Sequence, residues 1–193
     1  LVCCFSRFDN DVIRALESHS FQLISTRAEY ELDLQSDREF LHPHADYSIN
    51  LFRDGTMNET KYKRLLDTIY KTSRYSKDEL IPDADGIHLY SKWFDNTFNH
   101  HYANDVFIAL NKDNMLIGLM SLKRKDSYGS IDLIVTDEGW HNKGIGTALV
   151  QAGQNHLKTL GIQEMRVITE AENIPANRFY QKQGFRLTDF RLV

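Results

Sequence analysis

The stretch from Ile131 to Leu160 constrains the fold of this chain more than any other part of the sequence. It starts with a compact apolar run at residues 131–135, and an acidic turn leads from there to His-Asn-Lys-Gly-Ile-Gly at residues 141–146. Apolar residues then recur at helical period on one face, at Ile145, Ala148, Leu149, Ala152, Leu157 and Leu160. The stretch therefore predicts a strand, a glycine-containing loop and a helix in succession.

The loop at residues 141–146 is predicted to bind an anion because it lies at the start of a helix. The first backbone N–H groups of a helix have no acceptor within it, and the helix dipole adds partial positive charge there. Glycines let the chain approach a ligand closely, so a phosphate group suits this position. A Walker loop does not fit, because Lys143 precedes both glycines. A dinucleotide-binding loop fits poorly, because Leu149 stands where a third small residue is required.

A third type of phosphate-binding loop matches this segment. The segment resembles the pyrophosphate loop of the GNAT superfamily of acyl-CoA-dependent N-acyltransferases, Gln/Arg-x-x-Gly-x-Gly/Ala, with His141 in place of the first residue. Residues 173–185, Asn-Ile-Pro-Ala-Asn-Arg-Phe-Tyr-Gln-Lys-Gln-Gly-Phe, resemble the closing motif of the same superfamily. A strand-like segment at residues 165–169 separates the two motifs, which stand in the order that the superfamily has.

The resemblance implies an α/β (α+β) fold with a mixed central sheet and helices on both of its faces. In that fold two neighbouring strands part beside the glycine loop, here residues 130–136 and 164–169, and the co-substrate acetyl-CoA lies between them. Its pantetheine would bond to the backbone of the first strand, and its pyrophosphate to the loop. The donor-binding residues implied in this way are Ile134, Thr136, His141, Asn142, Lys143, Gly144, Ile145, Gly146, Thr147 and Asn173.

Acyl transfer needs a neutral amine, a donor for the developing oxyanion and a proton for the leaving thiolate. Tyr180 matches the general acid of the family, although a free phenol is a weaker acid than a thiol. Members of the family often use a carboxylate on the strand before the loop as the base. Ser130 occupies that place, and Asp132 shares its face of the strand, so Asp132 and an ordered water are both candidates for the base. A core aromatic and a helix cap are the structural alternatives for Tyr180 and Asn173.

A narrower resemblance indicates the acceptor. Ser73-Arg74-Tyr75, a Pro-Asp-Ala turn at residues 82–84 and a Tyr-x-x-Trp helix at residues 90–93 stand in the order found in dTDP-fucosamine acetyltransferases of bacterial surface-polysaccharide synthesis. This implies acetyl transfer to the 4-amino group of a dTDP-4-amino-4,6-dideoxyhexose, with Arg74 and Tyr75 binding the substrate. The alternatives are another small amine, a protein amine, and a non-catalytic acyl-CoA-binding module.

Composition argues against several other classes of protein. The net charge of −4 disfavours a nucleic acid or an anionic membrane as partner. No segment is long and apolar enough for a membrane span, and no signal pattern is seen, so a cytoplasmic protein is expected. Cys3 and Cys4 are adjacent and unsuited to pairing with each other, and His42 and His44 lack ligands at zinc-like spacing. No disulfide and no metal site are therefore expected. GNAT enzymes are frequently dimers, which makes a homodimer a candidate assembly.

The chain has 193 residues, which suits a main domain at residues 45–193 and a smaller accessory segment at residues 1–40. The main domain is predicted to have strands at 47–52, 106–110 and 116–122, a helix at 59–72 and a helix that carries Leu89, Tyr90, Trp93 and Phe94.

The accessory segment is predicted to be a small βαβ-type unit. Leu1–Phe5 is apolar, Val12, Ile13 and Leu16 form a helical stripe, and residues 21–25 and 30–34 carry strand-forming side chains. When Phe21 is placed over Phe185, Arg14 falls on Arg178, which suggests a worn copy of the end of the main domain. Leu16 then falls on Tyr180, so such a copy would lack the phenol. Ordinary helix and strand patterning is the simpler interpretation.

Overall fold

The computed structural model describes residues 9–35, 46–53 and 57–193. In these ranges the helices are α1 (Asn10–Ser18), α2 (Glu59–Lys71), α3 (Asp83–Phe98), α4 (Ile145–Thr159) and α5 (Ile174–Lys182). The strands are β1 (Thr26–Asp33), β2 (Tyr47–Phe52), β3 (Asp105–Asn111), β4 (Leu116–Arg124), β5 (Gly129–Thr136), β6 (Glu164–Glu170) and β7 (Arg186–Leu192).

The strands form one mixed sheet in the order β2-β3-β4-β5-β6-β1-β7. Only β5 and β6 are parallel among the described strands, and every other neighbouring pair is antiparallel. This confirms the predicted mixed sheet. Strand β1 comes from the N-terminal segment, yet it lies between β6 and β7.

Helices cover both faces of the sheet, as predicted, because each packs its apolar side on strand residues that alternate between the faces. On one face α4 buries Ile145, Leu149 and Leu157 against the sheet, and α5 buries Tyr180. On the other face α2 and α3 bury a second cluster, formed by Tyr62, Leu65, Leu66, Tyr70, Tyr90, Phe94 and Phe98. The cleft described below opens on the α4 side.

Two irregularities of β5 shape the centre of the sheet. The β4–β5 ladder pairs Ser121 with Leu133 and Leu122 with Ile131, which makes Asp132 an extra residue of the kind that forms a β-bulge. The β5–β6 ladder has only three residue pairs and ends at Ile131 and Val167. Beyond that point the two parallel strands part, which agrees with the wedge expected from the sequence.

Most element boundaries agree with the predictions. The strand predicted at residues 30–34 is found at Thr26–Asp33, so it begins four residues earlier, and two further predictions also differ. Helix α3 begins at Asp83, within the Pro-Asp-Ala segment that was predicted to be a turn, because Pro82 lies at its N-cap and Asp83 and Asp85 place negative charge in its first turn. The strand predicted at residues 21–25 is wrong. This segment connects α1 to β1, and its last two N–H groups, of Ile24 and Ser25, donate to the Val193 carbonyl oxygen.

Several predictions lie outside the described residues. They are the strand at Leu1–Phe5, the adjacent cysteines Cys3 and Cys4, and the linker that carries His42 and His44. The boundary between the accessory segment and the main domain also falls there, so the division into 1–40 and 45–193 stays a prediction.

Candidate active site

A cleft of about 1260 Å³ lies beside the parted ends of β5 and β6. Its walls are the C-terminal half of β5, the loop before α4, the first turns of α4, and α5. Its volume exceeds the range of about 300–1,000 Å³ that is usual for small-molecule sites, which suits a long ligand. The predicted residues that line it are Ile134, Thr136, His141, Asn142, Gly144, Ile145, Gly146, Thr147, Asn173 and Tyr180.

The glycine loop holds the N-terminus of α4 open toward this cleft. Gly144, the N-cap residue, has a left-handed backbone (φ 80°), and its position supplies no side-chain cap. Asn142 is also left-handed (φ 61°), a conformation that asparagine tolerates better than most residues. A Cβ atom at Gly146 would lie 3.3 Å from the Phe179 ring, a tight contact that favours glycine where α5 packs against α4. The first N–H groups of α4 therefore remain available to an anion.

Strand β5 contributes backbone as well as side chains to the cleft. Ile134 and Thr136 line it, and they follow the last residue, Ile131, that pairs with β6. A strand edge that is not paired by its neighbour offers N–H and C=O groups to an extended ligand. His141 Nε2 lies 3.1 Å from the Thr136 carbonyl oxygen, so the ring donates to it and ties the loop to the end of the strand.

Tyr180 lies at the inner wall of the cleft, where α5 meets the sheet. Its side chain is 4% exposed, and its ring packs near those of Tyr30, Phe179 and Phe185. No described residue hydrogen-bonds to its hydroxyl group. Burial raises the pKa of Tyr180 well above its ordinary value, so the phenol keeps its proton. A protonated phenol in this position can donate a hydrogen bond to a ligand atom.

Asn173 has a structural role in addition to its place in the cleft. Its side chain caps α5 by accepting from the Ala176 N–H at 3.2 Å. The next turn of the helix is fixed by Asn177, whose amide donates to the Asn173 carbonyl oxygen at 2.7 Å and whose side-chain oxygen accepts from the Tyr30 hydroxyl at 2.7 Å. Strand β1 thus helps to position the helix that carries Tyr180.

The basic residues that line the cleft are not the predicted one, Lys143. Lys143 lies outside the cleft walls, with its ammonium 4.3 Å from the centre of the Trp140 ring. Arg178 and Lys182 line the cleft instead, one turn apart on α5. Arg178 and Lys182 were not identified from the sequence, because within this helix a role was assigned only to Tyr180. Their i, i+4 spacing, two positions from Tyr180 on either side, was the available signal.

Other lining residues were also not predicted. The remaining wall residues are Thr68 and Ile69 of α2, its C-cap residue Thr72, Trp140 of the loop, Gln151 and Gln154 of α4, Gln183 after α5, and Val135, Pro175, Ala176 and Phe179. Gln183 donates to the Thr147 hydroxyl at 3.0 Å, which links α5 to the first turn of α4. These residues occur at positions where only the packing of helices on the sheet brings them together.

Arg74 and Tyr75 lie in a short 3₁₀ turn, Arg74–Ser76, at the C-terminal end of β6 rather than in the cleft. Arg74 donates to the Tyr75 hydroxyl at 2.8 Å and forms an ion pair with Glu170 at 3.6 Å. The Ser25 hydroxyl donates to the same carboxylate at 2.7 Å. Burial and the nearby Arg74 lower the pKa of Arg27, which also belongs to this group. The group gathers two arginines around Glu170 at the open end of the wedge.

Asp132, the candidate base, is held by two donors. Trp93 Nε1 donates to one carboxylate oxygen at 2.8 Å, and Lys123 Nζ lies 2.7 Å from the other. Its side chain is 13% exposed and lies outside the cleft walls. Asp132 is therefore placed to fix the bulge of β5 between the sheet and α3.

A row of aromatic rings connects Arg74 to Asp132. Tyr75, Tyr90 and Trp93 follow one another with ring centres 6.1 Å and 5.5 Å apart, and Tyr102 lies 6.2 Å beyond Trp93. Burial raises the pKa of Tyr90 to about 12, although a hydrogen bond from Ser73 acts in the opposite direction. The row brings together three residues singled out in the sequence, Arg74, Tyr75 and Asp132, on the side away from the cleft.

The described residues show neither a metal-binding cluster nor a membrane-spanning helix. They contain no group of three or more histidine, cysteine, aspartate or glutamate side chains that would hold a metal ion. No described helix has both the length and the apolar character that crossing a bilayer requires.

A match to a family model identifies the family to which this chain belongs. Residues 66–185, from within α2 to the residue before β7, match the model described as the Acetyltransferase (GNAT) family. This chain belongs to the GNAT family of acetyltransferases. The match contains the glycine loop, the parted strands and Tyr180, so the cleft is the part of the fold that the family shares.

Two curated relatives match part of this GNAT chain. An uncharacterized protein of Bacillus subtilis, YxbD, is 36% identical over 83 residues, which is 43% of this chain and 51% of the relative. A mycothiol acetyltransferase of Actinosynnema mirum is 33% identical over 94 residues, covering 48% of this chain and 29% of that protein. The chain thus spans about half of the first relative and less of the second.

Two solved structures share the fold. A GCN5-related N-acetyltransferase from Sphaerobacter thermophilus matches with a TM-score of 0.67 and 14% identity, over 97% of this chain and 56% of that one. A GNAT acetyltransferase from Elizabethkingia anophelis with acetyl-CoA bound matches with a TM-score of 0.56 and 22% identity, over 76% of this chain and 80% of its own.

Proposed function

We propose that this protein is an acetyl-CoA-dependent N-acetyltransferase that acts on a nucleotide-linked amino deoxysugar in the cytoplasm. One observation carries the enzymatic part of the proposal. A strand edge parted from its neighbour, an uncapped helix N-terminus and a protonated phenol all border the same cleft. Each matches one part of an acyl-CoA molecule: the amides of pantetheine, the pyrophosphate and the sulfur.

The donor site divides along the cleft. The backbone of Ile134 and Thr136 is proposed to bond to pantetheine, and the N–H groups at Ile145 to Thr147 to bind the pyrophosphate. Arg178 and Lys182 add positive charge on the opposite wall. Asn142 and His141 complete the loop, and Lys143 contributes charge from outside the walls.

The reaction forms a C–N bond and breaks a C–S bond. The neutral amine attacks the thioester carbonyl carbon, and the electrons of the C–S bond leave with the sulfur of CoA. Tyr180 donates a hydrogen bond to the developing thiolate, and the proton that the amine releases balances the proton that the free thiol gains. Because Asp132 is bound by Trp93 and Lys123 and lies outside the cleft walls, we propose that an ordered water carries the amine proton away. Asp132 then positions the bulge beside the reacting groups.

The acceptor is proposed to enter at the open end of the wedge, where Arg74 and Tyr75 lie. A guanidinium group recognises a phosphate in bidentate fashion, and a phenol ring can stack on a sugar or a base. These side chains suit a dTDP-4-amino-4,6-dideoxyhexose better than a polyamine, which would require an acidic surface. The similarity of the Ser-Arg-Tyr and Pro-Asp-Ala segments to dTDP-fucosamine acetyltransferases supports the same acceptor. Two copies of the chain are proposed to form the working assembly, by analogy with other GNAT enzymes.

The experiment follows release of free thiol from acetyl-CoA with a panel of dTDP-amino sugars, polyamines and peptide N-termini. We expect turnover with a 4-amino sugar nucleotide. In Tyr180→Phe we expect kcat to fall by a factor of about 10²–10⁴ while the Kd for CoA, measured by calorimetry, stays within about twofold. Turnover of only a simple amine or a peptide would refute the sugar acceptor. An unchanged kcat in Tyr180→Phe would remove the general acid from the mechanism.

A further inference from the structure

The N-terminal unit, residues 9–34, repeats the structure of the end of the domain at constant residue spacing. Helices α1 and α5 each have nine residues, so Asn10 corresponds to Ile174. Their N-caps, Asp9 and Asn173, also correspond, and each side chain accepts from the N–H group three residues later at 3.2 Å. The same cap with the same bond at equivalent positions goes beyond a shared hydrophobic pattern.

The two helices also end in the same way. Ser20 and Gly184 occupy equivalent positions after the helix, and both have left-handed backbones, with φ of 64° and 83°. The following phenylalanine then donates its N–H to the carbonyl oxygen five residues earlier, Phe21 to Leu16 at 3.1 Å and Phe185 to Tyr180 at 3.0 Å. A left-handed serine is uncommon, so its occurrence at the position of the glycine supports a true repeat.

The strands that follow the helices are related by a local two-fold axis. In the antiparallel ladder between β1 and β7, Arg27 lies opposite Arg191, which is its own equivalent in the repeat. The neighbouring pairs, Thr26 with Leu192 and Ala28 with Phe190, exchange under the same rotation. Strand β1 pairs with β6 on its other side. If the two-fold symmetry extends to the neighbouring strands, the other edge of β7 should pair with the equivalent of β6, which would belong to a second sheet.

The repeat leaves α1 without the packing that α5 has. Tyr180 and Phe185 are 4% and 3% exposed, whereas their equivalents Leu16 and Phe21 are half-buried and no residue of α1 is buried by the described structure. Val12, on the same apolar side of α1 as Leu16, is 41% exposed. In the main domain this side of the helix packs on the sheet and α4. The apolar side of α1 is therefore shaped for an equivalent sheet and helix.

We propose that residues 9–34 are the closing helix and strand of a second domain of the same fold, which precedes α1 in the same polypeptide and covers its apolar side. In the main domain the closing unit follows its own sheet in the chain, so the second sheet must precede α1. A second copy of this chain does not fit, because its sheet already carries its own α5. Leu16 at the position of Tyr180 means that the second domain lacks the phenol and does not repeat the proposed chemistry.

The solved structures are consistent with this arrangement. The fold of the Sphaerobacter thermophilus protein matches almost all of this chain, including the N-terminal unit, and that chain extends well beyond the match. The Elizabethkingia anophelis protein matches a smaller part of this chain over most of its own length.

The test uses the full-length polypeptide expressed from its own start codon and the 193-residue chain. Leu16→Asp places a charge on the apolar side of α1, and Glu17→Asp places the same residue on its polar side as the matched control. In the full-length polypeptide we expect Leu16→Asp to lower the Tm by several degrees more than Glu17→Asp, and in the 193-residue chain, where Leu16 is only half-buried, we expect a clearly smaller difference between the two variants. Hydrogen exchange of the wild-type proteins should show α1 amides protected in the full-length polypeptide and rapidly exchanging in the shorter chain.

Three results would each overturn the proposal. The first is a full-length polypeptide whose intact mass leaves no room for a further sheet before α1. The second is equal exchange of the α1 amides in both proteins. The third is a dimer of the 193-residue chain in light scattering that Leu16→Asp dissociates and Glu17→Asp does not, since a second copy would then cover the helix. None of these results depends on acetyl transfer, so they leave the proposed enzymatic function to its own test.

Discussion

Tyr180 is deeply buried and also lines the open cleft. Its phenol is surrounded by the rings of Tyr30, Phe179 and Phe185, which remove water and penalise the phenolate. The hydroxyl group therefore stays protonated at any pH at which the protein works. A group that must donate to a leaving thiolate benefits from this, because it is never found in the wrong protonation state.

The raised pKa of Tyr180 predicts how stability depends on pH. In the unfolded chain a tyrosine loses its proton near pH 10, whereas folded Tyr180 holds its proton to a higher pH. Above about pH 10 the folded state therefore binds one proton more than the unfolded state, and the free energy of unfolding falls as pH rises. Urea unfolding between pH 9 and 11 should show a shallower fall in Tyr180→Phe, by at most about 1.4 kcal/mol per pH unit. If the free energy of unfolding fell equally with pH in the wild-type protein and in Tyr180→Phe, the burial of this phenol would be contradicted.

Asp132 offers a test of the base. Asp132→Asn leaves Lys123 without a carboxylate at 2.7 Å, so we expect the free energy of unfolding to fall by about 1–3 kcal/mol. Because water is proposed to carry the proton, kcat should fall by less than about tenfold and the pH profile should keep its acidic limb. Asp126→Asn, at an exposed turn before β5, is the matched control and should change stability by less than about 0.5 kcal/mol. A loss of more than about a hundredfold in kcat, with the acidic limb gone, would make Asp132 the base.

At the scale of the elements, the start of α4 is the feature on which the proposed donor binding depends. Gly144→Ala forces a side chain into a left-handed backbone (φ 80°) and should cost about 1–2 kcal/mol of stability. It should also weaken CoA binding, because relief of the strain rotates the first N–H groups of the helix. Gly161→Ala at the other end of α4 has nearly the same φ, 75°, and its Cβ would meet nothing within 4 Å. The two variants should lose similar stability in urea unfolding, and only Gly144→Ala should lose CoA affinity in calorimetry. Equal CoA affinity in both would show that the loop does not hold the pyrophosphate.

The elements that the sequence predicted best are those that local chemistry determines. The glycine loop and α4 follow from a strand, two glycines and a helical stripe, and β2 was predicted with its observed bounds, Tyr47–Phe52. The bulge at Asp132 was not predicted, because it depends on how β4 and β5 pair and leaves no pattern in β5 alone. Arg178 and Lys182 were missed for a similar reason. Their place in the cleft depends on the angle at which α5 packs against α4, which long-range contacts decide.

At the scale of the whole molecule, the N-terminal unit is part of the sheet that builds the site. Strand β6 pairs with β5 over only three residues, and among the described strands β7 pairs with β1 alone. The Tyr30 hydroxyl, from β1, also donates to Asn177 in the helix that carries Tyr180. The parting of β5 and β6 is tolerated because β6 pairs along its other edge with β1.

Removal of this strand gives a prediction for the domain division. A chain of residues 45–193 lacks β1, so β6 would keep only its short ladder to β5 and α5 would lose the bond from Tyr30. We expect this chain to lose cooperative thermal unfolding and CoA binding, as measured by circular dichroism and calorimetry. A Tm and a Kd equal to those of the 193-residue chain would show that residues 45–193 are an independent domain.

The parted strands also bear on how such a protein diversifies. Because acyl-CoA is proposed to bind through backbone groups, the side chains along that strand edge and the loop can vary, and His141 can occupy the position at which the superfamily motif has glutamine or arginine. Under the proposed function, side chains outside the cleft such as Arg74 and Tyr75 bind the amine substrate, so substitutions there should change acceptor specificity while acetyl-CoA binding is retained. This arrangement favours evolution in which the donor site is retained and the acceptor site changes.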